Sequence, residues 1–162
     1  MFTVSAGGWT LEPAGDAEFD QIMAWFPDGA AVDIWGGPRF RYPFTRETFV
    51  EDLRAATADS YALRNADKVL AAFGQSYERC GRGHLARLVV NPALRRQGAG
   101  RRLIEMIMTS LESRRDYDEF SLFVYRHNKP ALRCYQSLGF VVTDYPDDAP
   151  MADKCYFLTK IG

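Results

Sequence analysis

The sequence predicts a mixed α/β fold in a single domain spanning residues 1–162, with a central, mostly antiparallel twisted sheet flanked by helices. Between Ser60 and Val90, three apolar, β-prone segments are separated by two short turns, which is typical of two antiparallel hairpins. Two helical patterns with one strand between them follow. A hydrophobic fraction of 47% over 162 residues suffices for one core, and no linker-like or repetitive segment divides the chain.

The first quarter of the chain predicts one strand and one helix. Trp9–Glu12 is a candidate strand that ends at Pro13, and Asp16 is the expected N-cap of the helix. Apolar residues then recur at i, i+3, i+4 and i+7, which indicates one buried helix face, and they are Phe19, Ile22, Met23 and Phe26. The breaker Pro27-Asp28-Gly29 is expected to end this helix.

An aromatic, glycine- and proline-rich loop is expected from Trp35 to Phe44, and Thr45 is the expected N-cap of a second helix. The sheet is then expected to begin. Its first three strands are predicted at Tyr61–Arg64, Val69–Tyr77 and His84–Val90, with turns at Asn65-Ala66-Asp67 and Cys80-Gly81-Arg82-Gly83.

The last third predicts two helices and three strands. A strongly amphipathic helix is expected to begin near Gln97, and a short helix is expected between an Asn128 cap and a Gly139 stop. The remaining strands are predicted at Phe120–Tyr125, Phe140–Thr143 and Tyr156–Thr159. The complete expected order is β-α-α-β-β-β-α-β-α-β-β.

Composition narrows the classes of function. Lys and Arg total 20 against 21 for Asp and Glu, so the formal charge of -1 argues against a dedicated nucleic-acid or membrane-surface binder. Three cysteines without a C-x-x-C pair, and two histidines, predict neither a disulfide framework nor a metal site. Since we find no leader pattern and no run of about 18 apolar residues, we expect a cytoplasmic protein without a membrane partner.

The segment from Leu88 to Arg101 is the most informative one for chemistry, because an apolar strand passes through a short loop into a helix start. Gly98 and Gly100 allow close approach of a ligand, and first-turn amides lack helical partners at the positive end of the helix dipole. This pattern is typical of a phosphate site. A tight turn with solvated arginines remains the alternative, and the pattern matches neither a Walker A nor a Rossmann motif.

Two motifs resemble the GNAT superfamily of acyl-CoA-dependent N-acyltransferases. The first follows V-x-P-x-x-[RQ]-x-x-G-x-[GA] and uses Val90, Pro92, Arg95, Gly98 and Gly100. The second reads N-x-x-A-x-x-x-Y-x-x-L-G-F and uses Asn128, Ala131, Tyr135, Leu138, Gly139 and Phe140. The resemblance is specific over residues 85–142, and it implies the GNAT fold and acetyl-CoA as cosubstrate, with no metal.

The resemblance also implies where acetyl-CoA binds. The cosubstrate would lie in a V between the strands 85–90 and 120–125, with its pyrophosphate on backbone amides of residues 96–101. Asn128 and backbone groups of the first strand would contact the pantetheine arm. The implied cofactor-binding residues are Leu88, Val89, Val90, Arg95, Arg96, Gln97, Gly98, Ala99, Gly100, Arg101 and Asn128.

For catalysis, the resemblance implies that the Tyr135 hydroxyl acts as a general acid toward the departing thiolate. The general base stays open between His84 and Glu78, which flank one hairpin turn. Many relatives carry a Glu on the strand at 85–90 or its neighbour, whereas this strand carries Arg87 and no acid. Cys134 lacks an evident activating partner, so we do not expect a cysteine nucleophile.

The acceptor is expected to bind near the loop after the first helix. Trp35, Phe40 and Tyr42 form either a pocket wall or a roof over the core, and Asp33 is a candidate partner for a cationic amine. The predicted function is N-acetylation of a primary amine of a small molecule. A protein N-terminal or lysine acetyltransferase and a non-catalytic acyl-CoA-binding module are the alternatives. A homodimer is compatible with the sequence, which does not define the oligomeric state.

Overall fold

The computed structural model describes residues 3–114 and 117–162. Its strands are β1 (Val4–Ala6), β2 (Trp9–Pro13), β3 (Asp59–Arg64), β4 (Leu70–Arg79), β5 (Arg82–Val90), β6 (Glu119–Tyr125), β7 (Val141–Thr143) and β8 (Cys155–Ile161). Its helices are α1 (Asp16–Met23), α2 (Gly29–Gly36), α3 (Arg46–Leu53), α4 (Ala99–Ser113) and α5 (Lys129–Ser137), with a 3₁₀ turn at Pro92–Leu94. The mixed α/β fold class is confirmed.

The strands form one sheet in the order β1-β2-β3-β4-β5-β6-β8-β7. Neighbouring strands are antiparallel except β5 and β6, which run parallel. The two predicted hairpins, β3–β4 and β4–β5, are therefore confirmed. Cys80 and Gly81 form the second turn with φ values of +50° and +77°, as a two-residue hairpin with the right twist requires.

The expected order of elements is wrong at two places. Helix α2 occupies residues for which a breaker and part of a loop were predicted, because Asp28 accepts a hydrogen bond from the Ala31 amide at 2.9 Å and caps a new helix. The same breaker thus ends one helix and begins the next. Strand β1, which pairs with β2, is also additional to the prediction.

Helix ends agree closely with the sequence patterns. Thr45 and Asn128 cap α3 and α5, and Gly139 follows α5 with φ +98°. The cap of α1 is displaced by one residue, since Gly15 precedes the helix and its amide donates to Glu18 at 2.8 Å. Helix α4 begins at Ala99 rather than at Gln97.

Two apolar cores lie on opposite faces of the sheet. On one face, α4 and α5 cover a core in which Leu103 and Ile107 pack beside Gly74 of β4. A Cβ at Gly74 would lie 2.7 Å from Leu88 Cδ2, so the small residue lets α4 approach the strands. On the other face, α1, α2 and α3 enclose an aromatic core around Phe73. Among the described residues, no helix has the length and apolar character that a bilayer crossing requires.

Candidate active site

Strands β5 and β6 separate shortly after they meet. Their register contains the pairs Gly83–Phe120 and His84–Ser121, whereas β5 stays paired with β4 as far as Val90. Beyond these pairs, the edges of β5 and β6 that face each other enclose a gap. Backbone N–H and C=O groups along such an edge are available to a ligand. We call this space the strand gap.

A β-bulge reshapes β5 where it borders the strand gap. Its pairing with β4 shifts between Phe73–Val89 and Gln75–Ala86, so that Arg87 and Leu88 together lie opposite Gly74. Arg87 adopts φ +51°, a left-handed conformation that is unusual for a side chain of this size. The bulge thus changes the direction of the strand directly before Leu88–Val90.

The loop after β5 is fixed at its start and open at its end. Asn91 donates through Nδ2 to the Leu70 carbonyl and accepts from the Ala93 amide, both at 3.0 Å. Gly98, with φ +79°, precedes α4 without a side-chain cap, and the Arg102 amide donates to its carbonyl at 3.0 Å. The amides of residues 99–101 therefore form the uncapped first turn of the helix.

The space in front of this turn suits a phosphate. A Cβ built at Gly98 would meet no heavy atom within 4 Å, so the chain is open there. A Cβ at Gly100 would lie 3.3 Å from Val90 Cγ2, so the helix starts close against the end of β5. Arg95, Arg96 and Gln97 are exposed around the opening. The uncapped amides and the helix dipole thus face an open, cationic rim.

Helix α5 places Tyr135 against the core on the α4 side of the sheet. Its ring centroid lies 6.4 Å from that of Phe140, and burial raises the pKa of Tyr135 well above its usual value. The phenol is therefore protonated at neutral pH. Arg101 Nη1 donates to Ser137 Oγ at 2.8 Å and ties the start of α4 to α5. Asn128 accepts from the Ala131 amide at 3.4 Å.

The two candidate bases lie in different surroundings. His84 is buried at the closed end of the strand gap, where its Nδ1 lies 2.8 Å from Ser121 Oγ. Burial, with the charges of Arg79 and Arg87, lowers the pKa of His84 to about 3, so the ring is neutral at pH 7. Glu78 is exposed near the end of β4 and accepts from the Gly81 amide of the hairpin turn at 2.9 Å.

An acidic residue lies at the open end of the strand gap. Asp33 of α2 accepts a hydrogen bond from the hydroxyl of Tyr125, which ends β6. Burial and the neighbouring Asp33 carboxylate raise the pKa of Tyr125 to about 12. The ring of His127 stacks on that of Tyr125 at a centroid distance of 5.2 Å. Helix α2, which packs on β5, thus places a carboxylate beside both diverging strands.

The aromatic residues proposed as a pocket wall take different positions. Trp35 packs on Phe26, Phe40, Phe49 and Phe73 in the core under α1–α3, and Phe40 is buried with it. Tyr42 is exposed and contacts Phe44 edge to face. The sequence left open whether these aromatic residues form a pocket wall or a roof over the core. Trp35 and Phe40 have the geometry of a roof over the core.

Two surface cavities, of about 380 and about 310 Å³, lie away from Leu88–Val90. The first is bordered by residues such as Pro13 and Arg114, and the second by Arg79 and Phe157. Neither cavity includes the open turn before α4. Within residues 3–114 and 117–162, no group of three or more His, Cys, Asp and Glu side chains could hold a metal ion.

A sheet that opens between two parallel strands, with a glycine loop and an uncapped helix at its mouth, is the arrangement that the two sequence motifs imply for an acyltransferase domain. A sequence model described as the acetyltransferase (GNAT) family matches residues 23–140. The chain therefore belongs to the GNAT acetyltransferase family and is an N-acetyltransferase.

Solved structures share this fold at low sequence identity. An acetyltransferase (GNAT family) from Bacillus anthracis matches with a TM-score of 0.77 and 11% identity over 99% of this chain and 98% of that one. Spermidine N-acetyltransferase from Vibrio cholerae, solved with CoA and spermine, matches with a TM-score of 0.74 and 14% identity over 96% of both chains. Ribosomal-protein-S18-alanine N-acetyltransferase from Escherichia coli matches with a TM-score of 0.63 and 22% identity over 93% and 92%. These neighbours include enzymes named for a small amine and for a protein, so they leave the acceptor class open.

Proposed function

We propose that this enzyme transfers an acetyl group from acetyl-CoA to the primary amine of a small molecule by direct attack in a ternary complex. The observation that carries the proposal is the strand gap, which leads from the open turn at Gly98 to the bulged strand at Leu88–Val90. An elongated ligand with a phosphate end and an acyl end fits these two features together.

Different groups of the chain bind the pyrophosphate and the pantetheine arm of acetyl-CoA. Backbone amides of residues 96–101 and the α4 dipole bind the pyrophosphate, and the cationic rim adds attraction. The free edge of β5 at Leu88 and Val90 pairs with the pantetheine amides in the manner of an added strand. Asn128 caps α5 through Oδ1, so its Nδ2 atom is left to contact the same arm.

When bound, acetyl-CoA supplies a thioester carbonyl that an amine can attack. A backbone N–H near Val89 or Val90 donates to the carbonyl oxygen, where negative charge develops. An N–C bond forms, the C–S bond breaks, and the Tyr135 phenol donates a proton to the thiolate. The proton that the attacking nitrogen loses as the amide forms returns to the phenol through water, so that the products are the amide and the CoA thiol. The raised pKa of Tyr135 keeps this phenol protonated.

The acceptor enters on the face covered by α2, where Asp33 attracts its ammonium group. The ammonium must lose one proton before its nitrogen can attack. His84 is neutral and stays a candidate base, although a pKa of about 3 makes it a weak one. Glu78 is committed to the hairpin turn, so a chain of water molecules from the strand gap is the simplest proton route.

The test combines cosubstrate binding with turnover. Acetyl-CoA in hundredfold excess over its Kd should stabilise the protein by about 2.7 kcal/mol, whereas NAD and ATP should stabilise it far less. CoA thiol release should then be measured with small amines, amino acids, polyamines and peptides with free N-termini. Absence of a thermal shift would refute the cosubstrate. A clear preference for peptides would show that the acceptor is a protein and not a small molecule.

A further inference from the structure

Arg87 is held in place by a buried polar network. Its Nη1 donates to Gln75 Oε1 at 2.8 Å, and Gln75 has no solvent exposure. The amide nitrogen of Gln75 donates in turn to the Leu53 carbonyl and to Ser60 Oγ, both at 2.9 Å. The guanidinium of Arg87 is thus fixed through one nitrogen, on the sheet face that α3 covers and directly before Leu88–Val90.

The opposite edge of this guanidinium is incompletely bound. Nε of Arg87 is closed to solvent and has no hydrogen-bond partner in the described part of the chain, while the residue as a whole is half-buried. The terminal nitrogen Nη2, which is not bound to Gln75, is therefore the group of this guanidinium that an anion can reach. A buried donor without a partner is costly, and the negative charge of an anion at Nη2 would lower the cost that the free protein carries.

The charges around Arg87 also favour an anion. Arg54, which follows the last residue of α3, is an exposed cation whose charge acts on Arg87. Tyr77 and Asp52 act on Arg87 in the opposite sense, and the Asp52 carboxylate is bound to the Arg41 guanidinium at 2.9 and 3.1 Å. The charges of Arg79, which pairs with Asp148 at 3.0 Å, and of Arg87 both lower the pKa of His84.

We propose that the acceptor amine carries a carboxylate and that the guanidinium of Arg87 binds this carboxylate through Nη2, the terminal nitrogen that is not bound to Gln75. The inference rests on the proposed acetyl transfer and narrows its acceptor to amino acids and related small molecules. Asp33 on α2 then attracts the ammonium group, while Arg87 attracts the carboxylate from β5. A polyamine has no group for Arg87 and brings further positive charge to a cationic face.

The alternative hypothesis, that Arg87 has only a structural role, predicts a different result from substrate binding. If the guanidinium only filled the bulge and satisfied Gln75, its replacement would lower stability and leave the choice of acceptor unchanged. Substrate binding predicts that the choice of acceptor changes while the affinity for acetyl-CoA does not. The structural role and the substrate-binding role of Arg87 are therefore distinguished by the ratio of kcat/KM between two acceptors, and not by total activity.

The experiment compares α- and ω-amino acids with their own carboxamides as acceptors, by CoA thiol release. In the unmodified enzyme, kcat/KM for the best acid should exceed that for its carboxamide by roughly tenfold or more. Arg87→Gln should bring this ratio to within about threefold of unity, and Arg87→Lys should keep part of it, since the positive charge remains on a head group of different shape. Lys68→Gln removes an exposed charge from the β3–β4 turn and should keep the full ratio.

The possible results separate the carboxylate inference from the proposed acetyl transfer. A ratio near unity in the unmodified enzyme, or a full ratio retained in Arg87→Gln, overturns the carboxylate inference and leaves acetyl transfer standing. Binding of acetyl-CoA without turnover of any acceptor overturns the proposed function and the inference together. If Arg87→Gln does not fold, the acid-to-carboxamide ratio in the unmodified enzyme and in Arg87→Lys still decides.

Discussion

The hydroxyl of Tyr125 lies 3.4 Å from each carboxylate oxygen of Asp33, and this pair joins α2 to the end of β6. The contact lies on the sheet face from which we propose that the acceptor approaches the bulged strand. It is long for an O–H···O bond, so the carboxylate is oriented by the tyrosine without being saturated. Asp33 thus retains capacity to bind an ammonium group.

Asp33→Asn should therefore weaken acceptor use. We expect kcat/KM for the amine to fall by roughly tenfold or more, mainly through KM, because a charge-assisted contact to the bound substrate is lost. Tyr125→Phe keeps the carboxylate and should cost less. Steady-state kinetics with acetyl-CoA saturating checks both variants. Equal losses would mean that the pair matters as a link between elements instead.

Tyr135→Phe removes one hydroxyl and keeps the ring that packs on the core. If the phenol serves the thiolate, kcat and kcat/KM should both fall by roughly 10²–10⁴-fold, while the melting temperature and acetyl-CoA affinity change little. Tyr145→Phe is the matched control, since the hydroxyl of Tyr145 binds the Pro150 carbonyl at 2.7 Å. A kcat within threefold of the unmodified enzyme would exclude Tyr135 as the acid.

Gly98 and Gly81 allow a closely matched comparison. Their φ values are +79° and +77°, and a Cβ at either position would meet no heavy atom within 4 Å. Aspartate at either site should therefore cost similar stability, since any side chain is strained there. Only Gly98→Asp should abolish the thermal shift by acetyl-CoA, because it places negative charge at the pyrophosphate position. A retained shift in that variant would mean that the loop is merely structural.

Stability should decrease in acid partly through His84. Its pKa is lowered to about 3 in the folded protein, so the unfolded chain, with an ordinary histidine pKa of about 6.5, binds more protons between these values. The contribution is complete above about pH 6.5 and is lost as the pH falls toward 3, at up to about 1.4 kcal/mol per pH unit.

His84→Asn keeps a hydrogen-bonding group for Ser121 and removes this titration. The difference in unfolding free energy between the two proteins should shrink as the pH falls from about 7 to about 4.5. Denaturant unfolding at several pH values measures it. Parallel curves would show that the histidine is protonated without cost in the folded protein.

Local signals predicted much of the fold. Thr45, Asn128 and Gly139 mark helix ends because capping depends on a few neighbouring residues. The hairpin at Cys80-Gly81 is encoded by its own turn. Helix α2 was missed because its eight residues are apolar on nearly every side and begin with glycine. Burial of Val32 against the aromatic core, rather than helix propensity, stabilises it.

The cosubstrate residues were predicted from motifs that are continuous in sequence, and Asp33 was predicted from its place after the first helix. Gly98 and Tyr135 belong to such motifs. The bulge at Arg87 depends on how β5 aligns with β4, and Gly74 in the partner strand was its one sequence signal. The contact of Arg87 with Gln75 and that of Asp33 with Tyr125 join distant segments. Neither follows from periodicity or spacing.

The strand gap also has a consequence for solubility. Where β5 and β6 part after His84 and Ser121, the sheet gains two inner edges in addition to its outer ones. Unpaired edges are templates on which another chain can add a strand and start aggregation. A ligand lying along β5 would shield such an edge. The protein should therefore resist aggregation on heating better when its cosubstrate is bound, beyond what its higher melting temperature alone provides.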